Sequence, residues 1–310
     1  MKTPQPPSTG ISLNEHLRAE SKAPDDLRHL IIHIATAAKY IQFALRTTEA
    51  GLAGTTNQFG EEQVKLDVLS DKIIRQHLTE SRLVASLASE EHDEIVELSP
   101  SAPYSVVYDP LDGSSLVETN LAIGSIFGIY AGSEILGRKP SQQVAALYVF
   151  YGPRTILTYS AGKGVHSFLL NDVGEFILLR GYVGIGDSAK NFSAGNLKAV
   201  GENEGYRALV EHWMEHLTMR YSGCMVADVH HIFSKGQGVF ANVGGGEYPE
   251  GKLRLVFECG PFAYLAEQAG GAASDGTQPL TAKPITSITQ RTPILLGSKE
   301  EVRRAEEMLG

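Results

Sequence analysis

The chain has 310 residues, of which 42% are hydrophobic and 20% are charged, and its formal net charge is −9. That composition is typical of a folded globular protein, and the length corresponds to about two domains. The negative charge argues against nucleic acid or an anionic membrane as the main partner. Only Cys224 and Cys259 occur, and no apolar run reaches the roughly 18 residues of a membrane span, so we expect a reducing compartment, the cytoplasm.

The periodicity of apolar residues predicts the secondary structure of the first half of the chain. Apolar residues three and four apart predict helices over 26–46 and 67–78, because this spacing places them on one face. Runs of apolar residues bounded by turn residues predict strands. These strands cover residues 83–88, 104–108, 125–130, 144–151, 155–160 and 165–170. The short loops between them indicate mostly antiparallel pairing.

A glycine-rich stretch at 181–186 separates this strand-rich half from a second half of different character. We predict a domain boundary there, with one domain over 11–183 and a second over 184–310. In the second half, the same patterns predict a helix, two strands, a helix, a short strand and a terminal helix. The predicted ranges are 203–217, 239–243, 253–257, 262–269, 293–297 and the residues that follow.

The most informative segment is residues 109–115, which follow the predicted strand 104–108. Asp109 and Asp112 stand at the end of that strand, and buried carboxylates need cations because an unpaired buried charge is costly. Carboxylate oxygens are ligands that Mg²⁺ prefers, and the glycine and two serines that follow offer N–H groups and hydroxyls to a phosphate. The segment therefore predicts a place where a metal and a phosphate meet. A simple tight turn is the alternative, since Asp, Pro and Gly all favour turns.

Further carboxylates stand at the ends of predicted elements. Glu90 and Glu91 follow a strand, Asp67 lies at a helix start, and Glu258 follows the predicted strand 253–257. Functional groups gather at strand ends in α/β sheets, and several carboxylates at one point repel unless divalent cations hold them together. The set therefore predicts a site with more than one metal ion. Each residue alone also fits a simpler role, as part of a solvated surface pair, a charge at a helix N-terminus or a hydrogen-bonded carboxylate.

A second set of polar and basic residues suits a sugar phosphate. It comprises Asn203 and Tyr206, three apart on one helical face, Arg220 with Tyr221, and Lys252 with Arg254, which alternate along a predicted strand. Arginine and lysine side chains on one face bind phosphate oxygens. Ordinary surface charge on the strand is the alternative for the last pair.

These motifs resemble one known family. Residues 89–91, 109–115 and 126–130 resemble the class I fructose-1,6-bisphosphatase and sedoheptulose-1,7-bisphosphatase family, which belongs to the lithium-sensitive, Mg²⁺-dependent phosphatases. Further matches are residues 203–206, 220–221, 225–229, 252–255 and 270–271, and the likeness runs from about residue 26 to the C-terminus. It implies an α/β (α+β) fold, a layered α-β-α-β-α sandwich with two mixed sheets. Residues 11–183 would then form the metal-site domain and 184–310 the sugar-phosphate-binding domain.

Several segments look more like the sedoheptulose branch of this family, namely residues 60–63, 151–155, 192–197, 240–243, 273–276 and 297–299. Asn242 stands where the fructose branch is expected to have a tyrosine that contacts the substrate 6-phosphate, and the lysine expected near Glu247 is absent. The resemblance thus implies a sugar bisphosphatase, a phosphoric monoester hydrolase that converts sedoheptulose 1,7-bisphosphate to sedoheptulose 7-phosphate. Fructose-1,6-bisphosphatase, or a dual fructose and sedoheptulose bisphosphatase, is the alternative.

The resemblance also implies a role for each matching residue. Two to three Mg²⁺ ions, which Mn²⁺ can replace, would be held by Glu90, Glu91, Asp109, the Leu111 carbonyl, Asp112 and Glu258. Asp67, with Glu91, would take a proton from the attacking water, and Glu61 would assist the leaving group. The substrate would contact Asp112, Gly113, Ser114, Ser115, Asn203, Tyr206, Arg220, Tyr221 and Lys252. In relatives the arginine at position 220 crosses a subunit interface, which implies a homo-oligomer, either a dimer or a tetramer.

Two other functions compete with this one. An inositol or nucleotide monophosphatase of the same superfamily would carry the metal site, but a single phosphate needs no distal group such as Asn203, Tyr206 and Lys252. A non-catalytic ligand sensor with this fold would be expected to have lost metal carboxylates, and the sequence retains all of them. Phosphate release measured with and without Mg²⁺ separates the sensor from the enzymes.

Overall fold

The computed structural model describes residues 10–48, 52–56 and 62–310, with only the backbone described over 52–56 and 62–64. Within these residues the chain forms seven α-helices. They are α1 (Leu13–Ala19), α2 (Asp25–Thr47), α3 (Lys65–Ser81), α4 (Glu204–His216), α5 (Met225–Lys235), α6 (Gly260–Gln268) and α7 (Lys299–Leu309). None of these helices is both long and apolar enough to cross a membrane.

The strands form one pair and two mixed sheets. They are β1 (Leu52–Thr56), β2 (Glu62–Val64), β3 (Val84–Ser89), β4 (Val96–Glu97), β5 (Tyr104–Asp112), β6 (Ile123–Ala131), β7 (Gln143–Tyr151), β8 (Thr155–Ser160), β9 (His166–Leu170), β10 (Phe176–Arg180), β11 (Asn191–Gly195), β12 (Thr218–Met219), β13 (Val239–Asn242), β14 (Ala272–Ser274) and β15 (Ile294–Gly297). The large sheet has eight strands in the order β10-β9-β8-β7-β6-β5-β3-β4, in which β3 and β5 are parallel. The second sheet has five strands in the order β12-β11-β13-β15-β14, in which β11 runs parallel to both its neighbours.

Five layers result from the way in which the apolar faces pair. Helices α2 and α3 cover one face of the eight-stranded sheet and share a core with it. Helices α5 and α6 lie between the two sheets, in a core that takes residues from both. Helices α4 and α7 cover the outer face of the five-stranded sheet. The predicted α-β-α-β-α sandwich with two mixed sheets is therefore confirmed.

Helix α2 forms where the apolar periodicity predicted a helix. Leu30, Ile34 and Ile41 recur on one face and are fully buried, and each such side chain contributes about 1.5–3 kcal/mol. The helix begins at Asp25 directly after Pro24, and the early carboxylate interacts favourably with the positive end of the helix dipole.

The predicted strand over 253–257 is wrong. Residues Leu255–Cys259 form a π-helical turn that runs directly into α6. The run is buried on all sides, and a short buried apolar run does not distinguish a strand from a helix. Glu258 therefore projects from a helical turn, and Lys252 and Arg254 do not alternate along a strand.

The predicted domain boundary falls between β10 and β11, which belong to different sheets. The helices between the sheets pack against both, so the two parts share one central core. The division into 11–183 and 184–310 stays a prediction.

Candidate active site

One cleft of about 870 Å³ gathers most of the sequence-predicted site residues. One end of it is lined by acidic and small residues of the large sheet and its neighbours: Asp67, Glu90, Glu91, Asp109, Leu111, Asp112, Gly113, Ser114, Ser115 and Glu258. We call this the metal end. The rest of the lining, which we call the distal end, includes Asn196, Lys198, Tyr221, Asn242, Glu247, Tyr248 and Lys252.

Three carboxylates converge at the metal end. Asp109, Asp112 and Glu258 each offer an oxygen, and these oxygens lie within 4.8 Å of one another. Asp109 is 5% exposed and Glu258 is 6% exposed. Burial, with the nearby charges of Glu90 and Asp112, raises the pKa of both Asp109 and Glu258 well above the usual range. A hard divalent cation relieves this repulsion, so the donor set fits Mg²⁺ or Mn²⁺.

A bulge in β5 brings two of these carboxylates to one side. Asp109 pairs with Ile126 and Asp112 pairs with Gly124, so three steps along β5 match two steps along β6. In a regular strand, residues three apart point to opposite faces. The Leu111 N–H also donates to Asp109 Oδ1 at 2.9 Å, which holds this carboxylate in place.

The side chain of Asp112 is held by hydrogen bonds from residues in the second half of the chain. Its Oδ2 accepts hydrogen bonds from the Val226 N–H at 2.6 Å and the Cys224 thiol at 3.1 Å, at the start of α5. Burial raises the pKa of Asp112, while the Val226 N–H and the positive charge of Lys252 act in the opposite direction. Gly113 follows with a φ of 81°, and a Cβ there would lie 2.8 Å from Cys224, so only glycine fits.

The other predicted carboxylates arrive from separate elements. Glu258 Oε2 accepts from the Arg254 N–H at 2.6 Å, within the turn before α6. Glu90 and Glu91 follow β3 directly, and Asp67 lies in the first turn of α3, 5% exposed. All of these carboxylates line the same cleft. Glu61 lies outside the described residues.

The predicted substrate residues divide into two groups. Ser114 and Ser115 with their glycine, Tyr221 and Lys252 line the cleft. Three others do not. Asn203 caps α4 by accepting from the Tyr206 N–H at 2.9 Å, and the buried Tyr206 hydroxyl donates to the Gly195 carbonyl at 2.7 Å.

Arg220 is the third residue that does not line the cleft. It is exposed, and its Nη1 donates to the Met219 carbonyl at 2.9 Å. The i, i+3 spacing of Asn203 and Tyr206 reflects a helix start, where an Asn side chain satisfies a backbone N–H. Contact of these three residues with a substrate stays a prediction.

Sequence reasoning missed several residues of the distal end. Lys198 Nζ lies 3.5 Å from Glu247 Oε1, and both side chains are largely exposed. The Asn196 amide donates to the carbonyls of Val243 and Gly245, which joins the loops that carry this pair. These residues lie in an irregular turn and a glycine-rich loop, where periodicity carries no signal.

Asp228 is a further missed residue of the cleft wall. Burial raises its pKa to about 6, although the Ser222 N–H donates to its Oδ1 at 2.8 Å. The sequence offered no reason to single it out beyond its place in the resembling segment 225–229.

Three similar curated proteins bear on the family. Proteins named fructose-1,6-bisphosphatase class 1 from Geobacter sulfurreducens and Trichlorobacter lovleyi are 45% and 46% identical, over 97% and 95% of this chain and 96% and 93% of theirs. The chloroplastic sedoheptulose-1,7-bisphosphatase of Triticum aestivum is 40% identical over 97% of this chain and 77% of its own length.

Solved structures show the same likeness. The holo form of Leishmania major fructose-1,6-bisphosphatase matches with a TM-score of 0.91 and 30% identity, over 97% of this chain and 99% of that chain. A structure assigned as a sedoheptulose-1,7 bisphosphatase from Toxoplasma gondii matches with a TM-score of 0.90 and 35% identity, over 96% and 98%. Family models described as the N-terminal and C-terminal domains of fructose-1-6-bisphosphatase match residues 9–181 and 185–310. With an acidic cluster that fits a divalent metal beside Gly113, the chain belongs to the fructose-1,6-bisphosphatase family, whose members are metal-dependent sugar bisphosphatases.

Proposed function

We propose that this protein hydrolyses the 1-phosphate of fructose 1,6-bisphosphate and releases fructose 6-phosphate and phosphate. The observation that carries the proposal is the convergence of Asp109, Asp112 and Glu258 beside Gly113 and Ser114 in one cleft. The sequence favoured the seven-carbon substrate, but the more similar curated relatives carry the fructose name. Their names support the fructose reading over the sedoheptulose one.

The metal end provides ligands for two to three Mg²⁺ ions, with Mn²⁺ as a substitute. Glu90, Glu91, Asp109, the Leu111 carbonyl, Asp112 and Glu258 would hold them. When bound, the metal supplies positive charge that neutralises the phosphoryl group during the reaction.

The chain's own groups perform the remaining tasks. Asp67, assisted by Glu91, accepts the proton of the attacking water, and Glu61 assists the leaving oxygen. The N–H groups and hydroxyls of residues 113–115 hold the reacting phosphate, as small backbone-rich turns do for anions. Lys252 and Tyr221, together with Asn203, Tyr206 and Arg220 from the family resemblance, are proposed to hold the sugar and its distal phosphate.

Sedoheptulose 1,7-bisphosphate is a second candidate substrate. Asn242 lines the cleft where the fructose branch is expected to have a tyrosine, and a side chain smaller than tyrosine would suit a longer sugar. The likeness to the Toxoplasma and wheat proteins supports this candidate. Activity on both substrates would agree with the likeness to proteins of both names.

We further propose a homo-oligomer, either a dimer or a tetramer. Arg220 is exposed beside Met219, which is 46% exposed, and Tyr221, which is 51% exposed, next to the edge strand β12. An exposed strand edge with large apolar side chains is suited to a subunit contact. Sedimentation of the purified protein tests this directly, and a monomer at micromolar concentration contradicts it.

The decisive experiment compares phosphate release from the two bisphosphates side by side, with Mg²⁺ and with a chelator. The proposal predicts release only with metal and a higher kcat/KM for fructose 1,6-bisphosphate. A higher value for the seven-carbon substrate makes the second candidate the principal function. Preference for inositol 1-phosphate over both, or no release from any of them, contradicts the proposal.

A further inference from the structure

Asp71 is a buried carboxylate that the proposed chemistry does not use. It lies on α3, one turn after Asp67, and is 5% exposed. Its Oδ1 accepts hydrogen bonds from the Ser89 hydroxyl at 2.7 Å and the Tyr108 hydroxyl at 2.9 Å. Its Oδ2 lies 2.7 Å from Nε2 of His92. One side chain is therefore bonded to three residues from two other parts of the chain.

Each of these three partners borders a residue of the metal end: Ser89 precedes Glu90, His92 follows Glu91, and Tyr108 precedes Asp109. Ser89 and Tyr108 are also paired across the parallel strands β3 and β5. The Ser89 hydroxyl accepts from the Glu91 N–H at 3.2 Å, and the Glu90 N–H donates to the Tyr108 carbonyl at 3.1 Å. Asp71 thus joins a helix to two strand ends at the point where their carboxylates enter the cleft.

The hydrogen bonds at Asp71 keep its carboxylate charged. Burial opposes ionisation, but the bonds from His92, Ser89 and Tyr108 outweigh it and lower the pKa of Asp71. Hydrogen bonds to an ionised acceptor are stronger than those between neutral groups. The carboxylates of the metal end repel one another when no cation is bound. The strong hydrogen bonds of Asp71 therefore hold the two strand ends in place against this repulsion.

We propose that Asp71 is a positioning residue, which holds Glu90, Glu91 and Asp109 in a metal-binding arrangement before a metal arrives. The inference rests on the proposed function, since it takes these carboxylates as the metal ligands. Groups that orient metal ligands typically change metal affinity by about 10–100-fold when they are removed. Without Asp71, metal binding would also have to order the two strand ends, and the metal would bind more weakly.

The test is Asp71→Asn, with metal binding measured by calorimetric titration of Mn²⁺ and Mg²⁺ in the absence of sugar. We expect binding to weaken about tenfold or more. The metal concentration for half-maximal activity should rise by the same factor, while kcat at saturating metal stays near the wild-type value. This split identifies a positioning role, because a loss of active protein would lower kcat without changing the metal constant.

Asp275→Asn is the matched control. Asp275 is also a shielded carboxylate with several donors, since Lys283 Nζ lies 2.8 Å from its Oδ2 and the Thr277 hydroxyl donates to its Oδ1 at 2.8 Å. It does not line the cleft. We expect this variant to lower the Tm and to leave the metal constant unchanged.

Two outcomes overturn the positioning role. In the first, Asp71→Asn lowers the Tm as the control does but binds metal as the wild type does. The second applies if Asp71→Asn fails to fold, and it uses Tyr108→Phe, which removes a single hydrogen-bond donor to Asp71. We expect this variant to bind metal roughly threefold more weakly, and an unchanged metal constant overturns the positioning role. A wild type that binds metal but hydrolyses neither bisphosphate contradicts the proposed function alone.

Discussion

The two ends of the cleft are built in different ways. At the metal end, the buried Asp109 and Glu258 accept hydrogen bonds from the backbone N–H groups of Leu111 and Arg254. At the distal end, the side chains of Lys198 and Glu247 are 77% and 71% exposed. Exposed ion pairs contribute only about 0–1 kcal/mol, so the distal end can change at little cost to stability.

This difference separates the reaction from the choice of substrate. The carboxylates to which we assign the reaction are held by elements of the central cores, where a change disturbs packing and buried hydrogen bonds. Lys198 and Glu247 of the distal end lie in a short turn and a glycine-rich loop. A family built in this way can keep one chemistry while its members act on sugars of different length.

The largest expected effect is at the metal end. Asp112→Asn removes the charge of a proposed metal ligand while keeping the shape of the side chain, and we expect kcat to fall on the order of 10³-fold. Phosphate release at saturating Mg²⁺ measures the loss. Because Asp112 also accepts the Val226 N–H, the Tm of the variant must be recorded to show that it is folded.

Glu118→Gln is the control for that variant. Glu118 is an exposed carboxylate on the rim of the same cleft, and we assign it no ligand role. We expect its kcat to stay within about twofold of the wild type, since surface substitutions have small effects. Full activity in Asp112→Asn, or an equal loss of activity in both variants, would contradict the role that we assign to Asp112 at the metal end.

The next effect is at Lys252, which belongs to the distal end. Lys252→Ala should raise the KM for the bisphosphate about tenfold, because a charge-assisted hydrogen bond to the distal phosphate is lost. The KM for fructose 1-phosphate, which lacks that phosphate, should change much less. Lys235→Ala, an exposed lysine at the end of α5, serves as the control. Equal loss on both substrates would place Lys252 at the metal end instead.

A smaller effect is expected from the exposed pair of the distal end. Lys198→Ala should raise the KM for the bisphosphate by roughly threefold, and Glu247→Gln should lower it slightly by freeing the lysine. Both changes should shrink at high salt, because exposed charges are screened. If neither variant changes KM or its salt dependence, the pair has no part in binding the substrate.

Much of the fold was predictable because the apolar signals are long and regular. The periodicity in α2 and the strands from β5 to β8 predicted elements that the structure contains. The turn at Leu255–Cys259 was not predictable, since a short run buried on all sides has no period. In that case the tertiary surroundings, with the Arg254 N–H bonded to Glu258, determine the local structure.

The convergence of carboxylates at the metal end could also be predicted from the sequence. Asp109, Asp112 and Glu258 are costly to bury, so their presence in apolar segments signalled a function. Lys198 and Glu247 carry no such cost on an exposed turn and loop, and nothing in their spacing distinguishes them from ordinary surface charge. Asn203 caps α4 through its side chain, and its contact with a substrate stays a prediction.

The substitution with the smallest expected effect on activity is at His230, where we expect a change in stability at acidic pH. His230 on α5 contacts the Tyr148 hydroxyl at 3.0 Å and the Ser234 hydroxyl at 3.1 Å, and burial, followed by the nearby Arg180, lowers its pKa to about 4. The unfolded chain therefore binds more protons than the folded one between about pH 6.5 and pH 4. The stabilisation is complete above that window and is lost as the pH falls through it.

Urea unfolding at several pH values measures this effect in His230→Gln, which keeps a donor and an acceptor for the two hydroxyls. We expect the uptake of protons on unfolding to decrease by about one in this window, with activity at pH 7 near the wild-type value. Part of the slope should remain, because burial also lowers the pKa of His16, on α1, to about 4. Helix α5 also presents the Val226 N–H to Asp112. If the slope is unchanged in the variant, the stability of the folded chain does not depend on a neutral His230.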